Sequence, residues 1–194
     1  SQSQLKVLRE QSPAHLRWQM DHPVPSTAAQ RLGAAIHDCV LLPDAFASGY
    51  VRGVPGDGRT KAVKEAREAQ AREHLGSTVL TPDDYDTCVA VRDAIARHPK
   101  ARALLTGDAE QSALWRDPTT GVLCRGRMDL LTRTSHAVVD LKTTLSVAPG
   151  PFSRSIFQFG YWLQASFYLA GAKELGLPHD RFALVAAEKA PPWG

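Results

Sequence analysis

The sequence lacks most of the features that place a protein quickly. Among its 194 residues are three cysteines, Cys39, Cys88 and Cys124, far apart and each set among apolar neighbours. An odd, scattered set forms neither a disulfide framework nor a zinc or iron-sulfur spacing, so all three are expected as reduced core residues. No apolar run is long enough to span a membrane, and Ser1-Gln2-Ser3-Gln4-Leu5-Lys6 lacks the charged-then-apolar order of a signal peptide. No membrane partner and a cytoplasmic location are expected. An excess of one charge is missing too: 23 Lys and Arg against 20 Asp and Glu leave +3, too little to signal a nucleic-acid partner by itself. There is no P-loop, internal repeat or low-complexity segment.

What is present is an ordinary globular composition, 43% apolar and 22% charged, which excludes disorder, collagen and coiled coil. The length suits one domain with a substantial core. Ser12-Pro13 predicts the N-cap and first position of a short helix ending before Pro23. Ser26-Thr27 predicts a second helix to about Leu42, with Leu32, Ala35, Ile36, Cys39 and Val40 on one apolar face and Pro43 as its stop. His37 lies beside that stripe, where a histidine is more often packed or solvent-facing than a ligand. Residues 47–60 read as a Gly-rich mobile loop and 61–74 as a densely charged helix with a solvated face. Thr81-Pro82-Asp83-Asp84 opens a further helix that stops near His98-Pro99.

From about Glu110 the pattern turns from helical to extended. Residues 112–116 and 122–131 are strand candidates joined by the turn Asp117-Pro118-Thr119-Thr120-Gly121, and 137–144 is a third. After Pro149-Gly150-Pro151 one long helix is expected from about Phe152 to Leu175, then a last strand over 182–187. Glu110 reads most simply as a solvated residue at a strand start.

The chemistry concentrates in the third strand. Alternation puts Val138, Asp140 and Lys142 on one face and Ala137, Val139 and Leu141 on the other, so one face reads as core and the other as charged. If Arg133-Thr134-Ser135-His136 is a hairpin turn, Asp129 lies beside Asp140 and Lys142. Two carboxylates suit a hard divalent cation, and a lysine two residues on can orient a water or offset charge on a phosphorus centre. An Asp-x-Lys tripeptide by itself is more often a surface ion pair. On the long helix, Gln164 and Tyr168 share a face beside Tyr161, although aromatics at that spacing are more often core.

In order, Leu32-Gly33-Ala34-Ala35-Ile36-His37, Gly126-x-x-Asp129, Asp140-x-Lys142 and Gln164-x-x-x-Tyr168 resemble the motif series of the PD-(D/E)XK nuclease superfamily, RecB-like branch. Asp140-Leu141-Lys142-Thr143-Thr144 is especially similar to the RecE-type (exonuclease VIII-like) enzymes of phages and prophages. The resemblance covers about residues 12–192. It implies an α/β (α+β) fold, a restriction-endonuclease-like core whose mixed sheet is flanked by helices, with an N-terminal helical region. One nuclease domain would span 1–194, with 1–106 mainly helical and 107–194 the core.

The resemblance further implies that His37, Asp129, Asp140 and the Leu141 carbonyl ligate Mg2+, with Mn2+ able to substitute. Lys142 would position or deprotonate the attacking water, Gln164 and Tyr168 would hold the DNA backbone or the lysine, and Glu110 would support the site. Arg125, Arg127 and Thr143 are the candidates for DNA contacts, the two arginines weighed against simple surface charge. Implied partners are double-stranded DNA ends, a single-strand annealing protein and further copies of the chain in a ring, in a bacterial cytoplasm. The three cysteines do not fit the relatives that carry an iron-sulfur cluster.

The expected activity is degradation of linear duplex DNA from an end, 5′ to 3′, yielding single strands for recombination. The alternatives are another nuclease of the superfamily, cutting internally or acting on single strands, and a catalytically silent DNA-binding or assembly module.

Overall fold

A computed structural model describes residues 1–193. The first half is helical, as the capping signals require. Helices α1 (Gln2–Glu10) and α2 (Pro13–Asp21) precede α3 (Ala28–Leu41), whose cap is Thr27, with its hydroxyl accepting the Gln30 N–H. The Ser12-Pro13 signal starts α2, and α1 is an additional helix without buried residues. Pro43 ends α3 and also opens a short helix, α4 (Pro43–Gly49). After it come β1 (Tyr50–Arg52), α5 (Lys61–Glu73), β2 (Thr78–Leu80), α6 (Pro82–Arg97) and α7 (Pro99–Leu104). The segment expected as a loop over 47–60 thus contains a strand. At three residues, β1 is too short for any period to register, and it forms only by pairing in parallel with β2.

The second half carries the main sheet. Strands β3 (Gly107–Arg116), β4 (Leu123–Thr132) and β5 (Ala137–Thr144) form an antiparallel meander, and β6 (Arg181–Glu188) pairs in parallel with β5. A parallel neighbour needs a crossover, which α8 (Pro149–Phe159) and α9 (Tyr161–Glu174) supply. This is a mixed α/β architecture of the expected kind. β3 starts earlier than the alternation suggested, so Glu110 lies inside the strand and not at its start.

Two expectations need correction. The long helix over 152–175 is two helices, because Gly160 adopts φ 70°, a left-handed conformation that ends α8 and starts α9. The face of β5 that bears Val138 and Asp140 is not an open charged surface either. Residues 137–141 are all at most 4% exposed, since helices cover both sides of the strand. Val139 and Leu141 pack with Ile36 and Cys39 of α3 and Val91 of α6. Val138 packs with Trp115, Met128, Tyr168 and Ala172.

Close packing of α9 on the sheet depends on two glycines. A Cβ at Gly171 would lie 2.9 Å from the Trp115 indole, and one at Gly126 would lie 2.8 Å from the Tyr168 ring. The glycine of the Gly126-x-x-Asp129 motif is therefore a packing residue for Tyr168. Among the described residues, no helix is long and apolar enough to cross a membrane. Cys39 and Cys88 are buried free thiols and Cys124 is half-buried and free.

Candidate active site

The site forms where β4 and β5 stop pairing. Their backbone register runs Leu131↔Val138 and Leu130↔Val139, and its continuation would set Asp129 opposite Asp140. Instead the Leu141 N–H donates to Asp129 Oδ2 at 2.9 Å, so a side-chain oxygen takes the place of a backbone carbonyl. The strands can part there because β3 and β4 both change face at this level. Ala109 and Leu130 pack on the α3–α6 side, whereas Ala113, Trp115 and Met128, of the same parity, pack under α9. The switch is concentrated at Glu110, whose φ of 53° is left-handed within a strand. Such a conformation costs a non-glycine residue on the order of 1–3 kcal/mol and is held by the structure around it.

The result is a cluster of ligand-type atoms. His37 of α3 sets Nδ1 3.4 Å from Asp129 Oδ2. One ligand atom each from His37, Glu110 and Asp129 lies within 4.8 Å of the other two, the only such group of three among the described residues. Glu110 Oε2 also sits 2.7 Å from Arg127 Nε, whose side chain stays 70% exposed.

Beside the cluster, Asp140 is fully buried and its two oxygens have separate partners. Oδ1 accepts from Gln164 Nε2 at 2.5 Å, and Oδ2 lies 2.6 Å from Lys142 Nζ. The ammonium in turn sits 4.9 Å from the centre of the Tyr161 ring. Tyr168 donates its hydroxyl to the Arg127 carbonyl at 2.8 Å, tying α9 to β4 just before Asp129. Gln164 and Tyr168, predicted on one helical face, are both buried against the sheet.

Burial dominates the electrostatics. It pushes Asp129 up to about 6, against the pull of Lys142 and the Leu141 N–H. Asp140 is likewise raised to about 6, by burial and then by the Asp129 charge, with Lys142 opposing. Burial lowers His37, favouring the neutral imidazole that a metal ligand must present. These shifts describe carboxylates held close together in a dry place without enough positive charge beside them.

The remaining predicted residues fall around this centre. Leu141 is buried, and its N–H serves Asp129. Thr143 is half-buried on the α3 side, 3.7 Å from the position a Cβ on Gly33 would take. Arg125 is exposed on β4, outside the cluster, and Arg127 is committed in part to Glu110. Sequence reasoning missed the contact of Tyr161 with Lys142. The signal was Gly160, which breaks the helix and delivers the tyrosine at the first turn of α9.

The donor set suits a divalent cation. Glu110 Oε2 and Asp140 Oδ2 are buried, each against a single cationic nitrogen, of Arg127 and Lys142 respectively. Carboxylate oxygens with one such partner keep lone pairs for a hard cation, and two carboxylates with a neutral imidazole are an ordinary ligand set.

No curated protein sequence matches this chain. Residues 1–193 match the model of a family described as a PDDEXK-like domain of unknown function, DUF3799. Domains of that kind have a nuclease-type fold and use divalent metals, in keeping with the mixed sheet and the His37, Glu110 and Asp129 group. The chain belongs to this PDDEXK-like family.

Proposed function

We propose that the protein is a metal-dependent deoxyribonuclease of the RecE type, which degrades linear double-stranded DNA from an end, 5′ to 3′, and leaves single strands for recombination. The observation that carries the nuclease reading is the gathering of ligand atoms from His37, Glu110 and Asp129 within 4.8 Å of one another, beside the buried Asp140–Lys142 pair. The end-dependence and the direction rest on the resemblance to RecE-type enzymes alone.

His37, Asp129, Asp140 and the Leu141 carbonyl would hold Mg2+ or Mn2+, with Glu110 beside them. Such a cation, when bound, lowers the pKa of a bound water and neutralises charge on the phosphate. Lys142 brings a fixed positive charge to the place where the phosphorane oxygens become more anionic, and its proton donors can hold a water in line. Gln164 fixes the rotamer of Asp140 through Oδ1 and leaves Oδ2 turned toward the site. Tyr168, through the Arg127 carbonyl, fixes the backbone that presents Asp129. Arg125, Arg127 and Thr143 would contact the DNA backbone, which binds without reading sequence. On this reading the working form is a ring of copies that hands its product to a single-strand annealing protein.

The test is digestion of linear duplex labelled at the 5′ or the 3′ end, with magnesium or with a chelator, beside a closed circular control. Magnesium-dependent loss of the linear DNA with early release of the 5′ label and an intact circle is the expected result. A cut circle moves the protein to the endonucleases. No cleavage, together with no heat of Mg2+ or Mn2+ binding by calorimetry, would make it a silent binding module.

A further inference from the structure

Most of the molecule's exposed aromatic surface is gathered at one place. Among the described residues, the exposed large aromatic side chains other than Trp18 fall between residues 157 and 162: Phe157 is 73% exposed, Phe159 46% and Trp162 44%. They occupy the junction of α8 and α9, where Gly160 breaks the helix and turns the next residue, Tyr161, under the Lys142 ammonium. Phe159 stacks on Tyr161 with ring centres 5.8 Å apart and planes at 27°. The ledge therefore adjoins the catalytic lysine directly. An open apolar strip beside a polar cleft is costly to keep unless something covers it.

The same strip carries cations from another element. Lys6 of α1 lies 5.6 Å from the Phe159 ring centre, and Arg9, which also pairs with Glu10, lies 4.9 Å from that of Trp162. Two stacked rings, Tyr161 and Phe159, thus sit between two ammonium groups, Lys142 and Lys6. A partner that suits such an arrangement is both polyanionic and faced with flat π-surfaces at short intervals. A protein surface supplies the one or the other, whereas an unpaired strand of DNA supplies both in regular succession.

We propose that the α8–α9 junction is a stacking subsite for unpaired nucleotides next to the scissile phosphate, with bases on Phe157 and Trp162 and flanking phosphates at Lys6 and Arg9. The proposal rests on the nuclease reading and names its substrate form: the site handles a strand whose bases are already unpaired where it reaches Lys142. Paired bases have no free faces to stack, so duplex alone would gain nothing from the ledge.

The experiment measures binding of the metal-free full-length protein to a labelled oligothymidylate of about ten nucleotides, to an abasic phosphodiester chain of equal length and to a blunt duplex, by fluorescence anisotropy. The natural protein should bind the oligothymidylate more tightly than the abasic chain. Phe157→Ala combined with Trp162→Ala should weaken oligothymidylate binding about tenfold or more, the range for loss of one or two stacked bases, and leave the abasic chain unaffected. Phe157→Ser, at a side chain that is 73% exposed, should reproduce part of the effect in a protein whose melting temperature is unchanged.

Equal loss for both chains, no loss for either, or a shift in molar mass by light scattering as the variants' main effect would overturn the proposal. The last result would assign the ledge to contact between copies. Cleavage of end-labelled duplex in magnesium reads the nuclease itself. Active cleavage with no base-dependent binding would sink only the subsite, and base-dependent binding without any cleavage would sink only the nuclease.

Discussion

The two ends of the β4–β5 pair are made by the same strands and could hardly differ more. At the hairpin end, Leu130 and Leu131 pair with Val139 and Val138, and the buried Thr132 hydroxyl accepts the Ala137 N–H at 2.8 Å. Thr132 is 1% exposed and its hydroxyl is satisfied. At the other end the backbone pairing lapses, a carboxylate substitutes for a carbonyl, and the buried oxygens of Glu110 and Asp140 face Arg127 and Lys142; a left-handed φ occurs at both ends, at Glu110 inside β3 and at His136 in the hairpin turn. One end closes on paired backbone and a satisfied hydroxyl; the other gathers buried charge. The first end holds the second in its costly arrangement.

The sharpest way to break that comparison is to remove chemistry from the charged end without touching the paired one. Lys142→Ala and Asp140→Ala should each lower cleavage by at least the order of 10²–10³-fold, with an unchanged far-ultraviolet circular dichroism spectrum. A fully active Asp140→Ala protein would end the mechanism proposed above.

The converse change goes into the shared core. Met128→Ala empties a fully buried position between the sheet and α9 and should cost about 2–5 kcal/mol in urea unfolding, while metal affinity of the folded fraction stays near that of the natural protein.

The third prediction concerns pH. Asp129 and Asp140 are raised from 3.8 to about 6 on folding, so the folded state binds their protons more tightly than the unfolded chain does. The stability they contribute is present below about pH 4 and is lost as the pH rises through about 6. Thermal melts of the metal-free protein should show this decline, superposed on the titration of the other groups. Asp129→Asn should flatten it and raise the melting temperature at neutral pH, because an amide oxygen still accepts from Leu141 and a crowded charge is gone. Added Mg2+ should stabilise the natural protein above pH 6 and lose that effect below it, and should do little for Asp129→Asn.

Smaller effects test the seams. Gly126→Ala forces a Cβ to 2.8 Å from Tyr168 and should cost about 1–3 kcal/mol, with partial loss of activity as the Tyr168 bond to the Arg127 carbonyl loosens. Thr132→Val leaves the Ala137 N–H without its partner and should cost about 1–2 kcal/mol, with no change in metal binding measured by calorimetry.

How much of this was legible beforehand follows from what kind of information each feature carries. Thr27, Ser12 and Thr81 announced their helices because a cap is a local hydrogen bond, formed within four residues. The Asp117 turn was legible for the same reason, its carboxylate accepting from Thr120. Asp129, Asp140, Lys142, Gln164 and Tyr168 could be listed because motif spacing survives in one dimension. Their neighbourhood could not be. Nothing in the order of residues says that α9 lies over Asp140, that Glu110 turns left-handed inside β3, or that Gly126 is small to admit Tyr168.

What the sequence by itself determined is the capped helices, the strands of the main sheet, their order and the residue types suited to a divalent cation, since propensity, capping and spacing are short-range. Which carboxylates meet, how far burial raises Asp129 and Asp140, and that Tyr161 lies against Lys142 were decided only in the folded molecule. Burial and long-range register set those properties, and both depend on residues distant in the chain coming into contact.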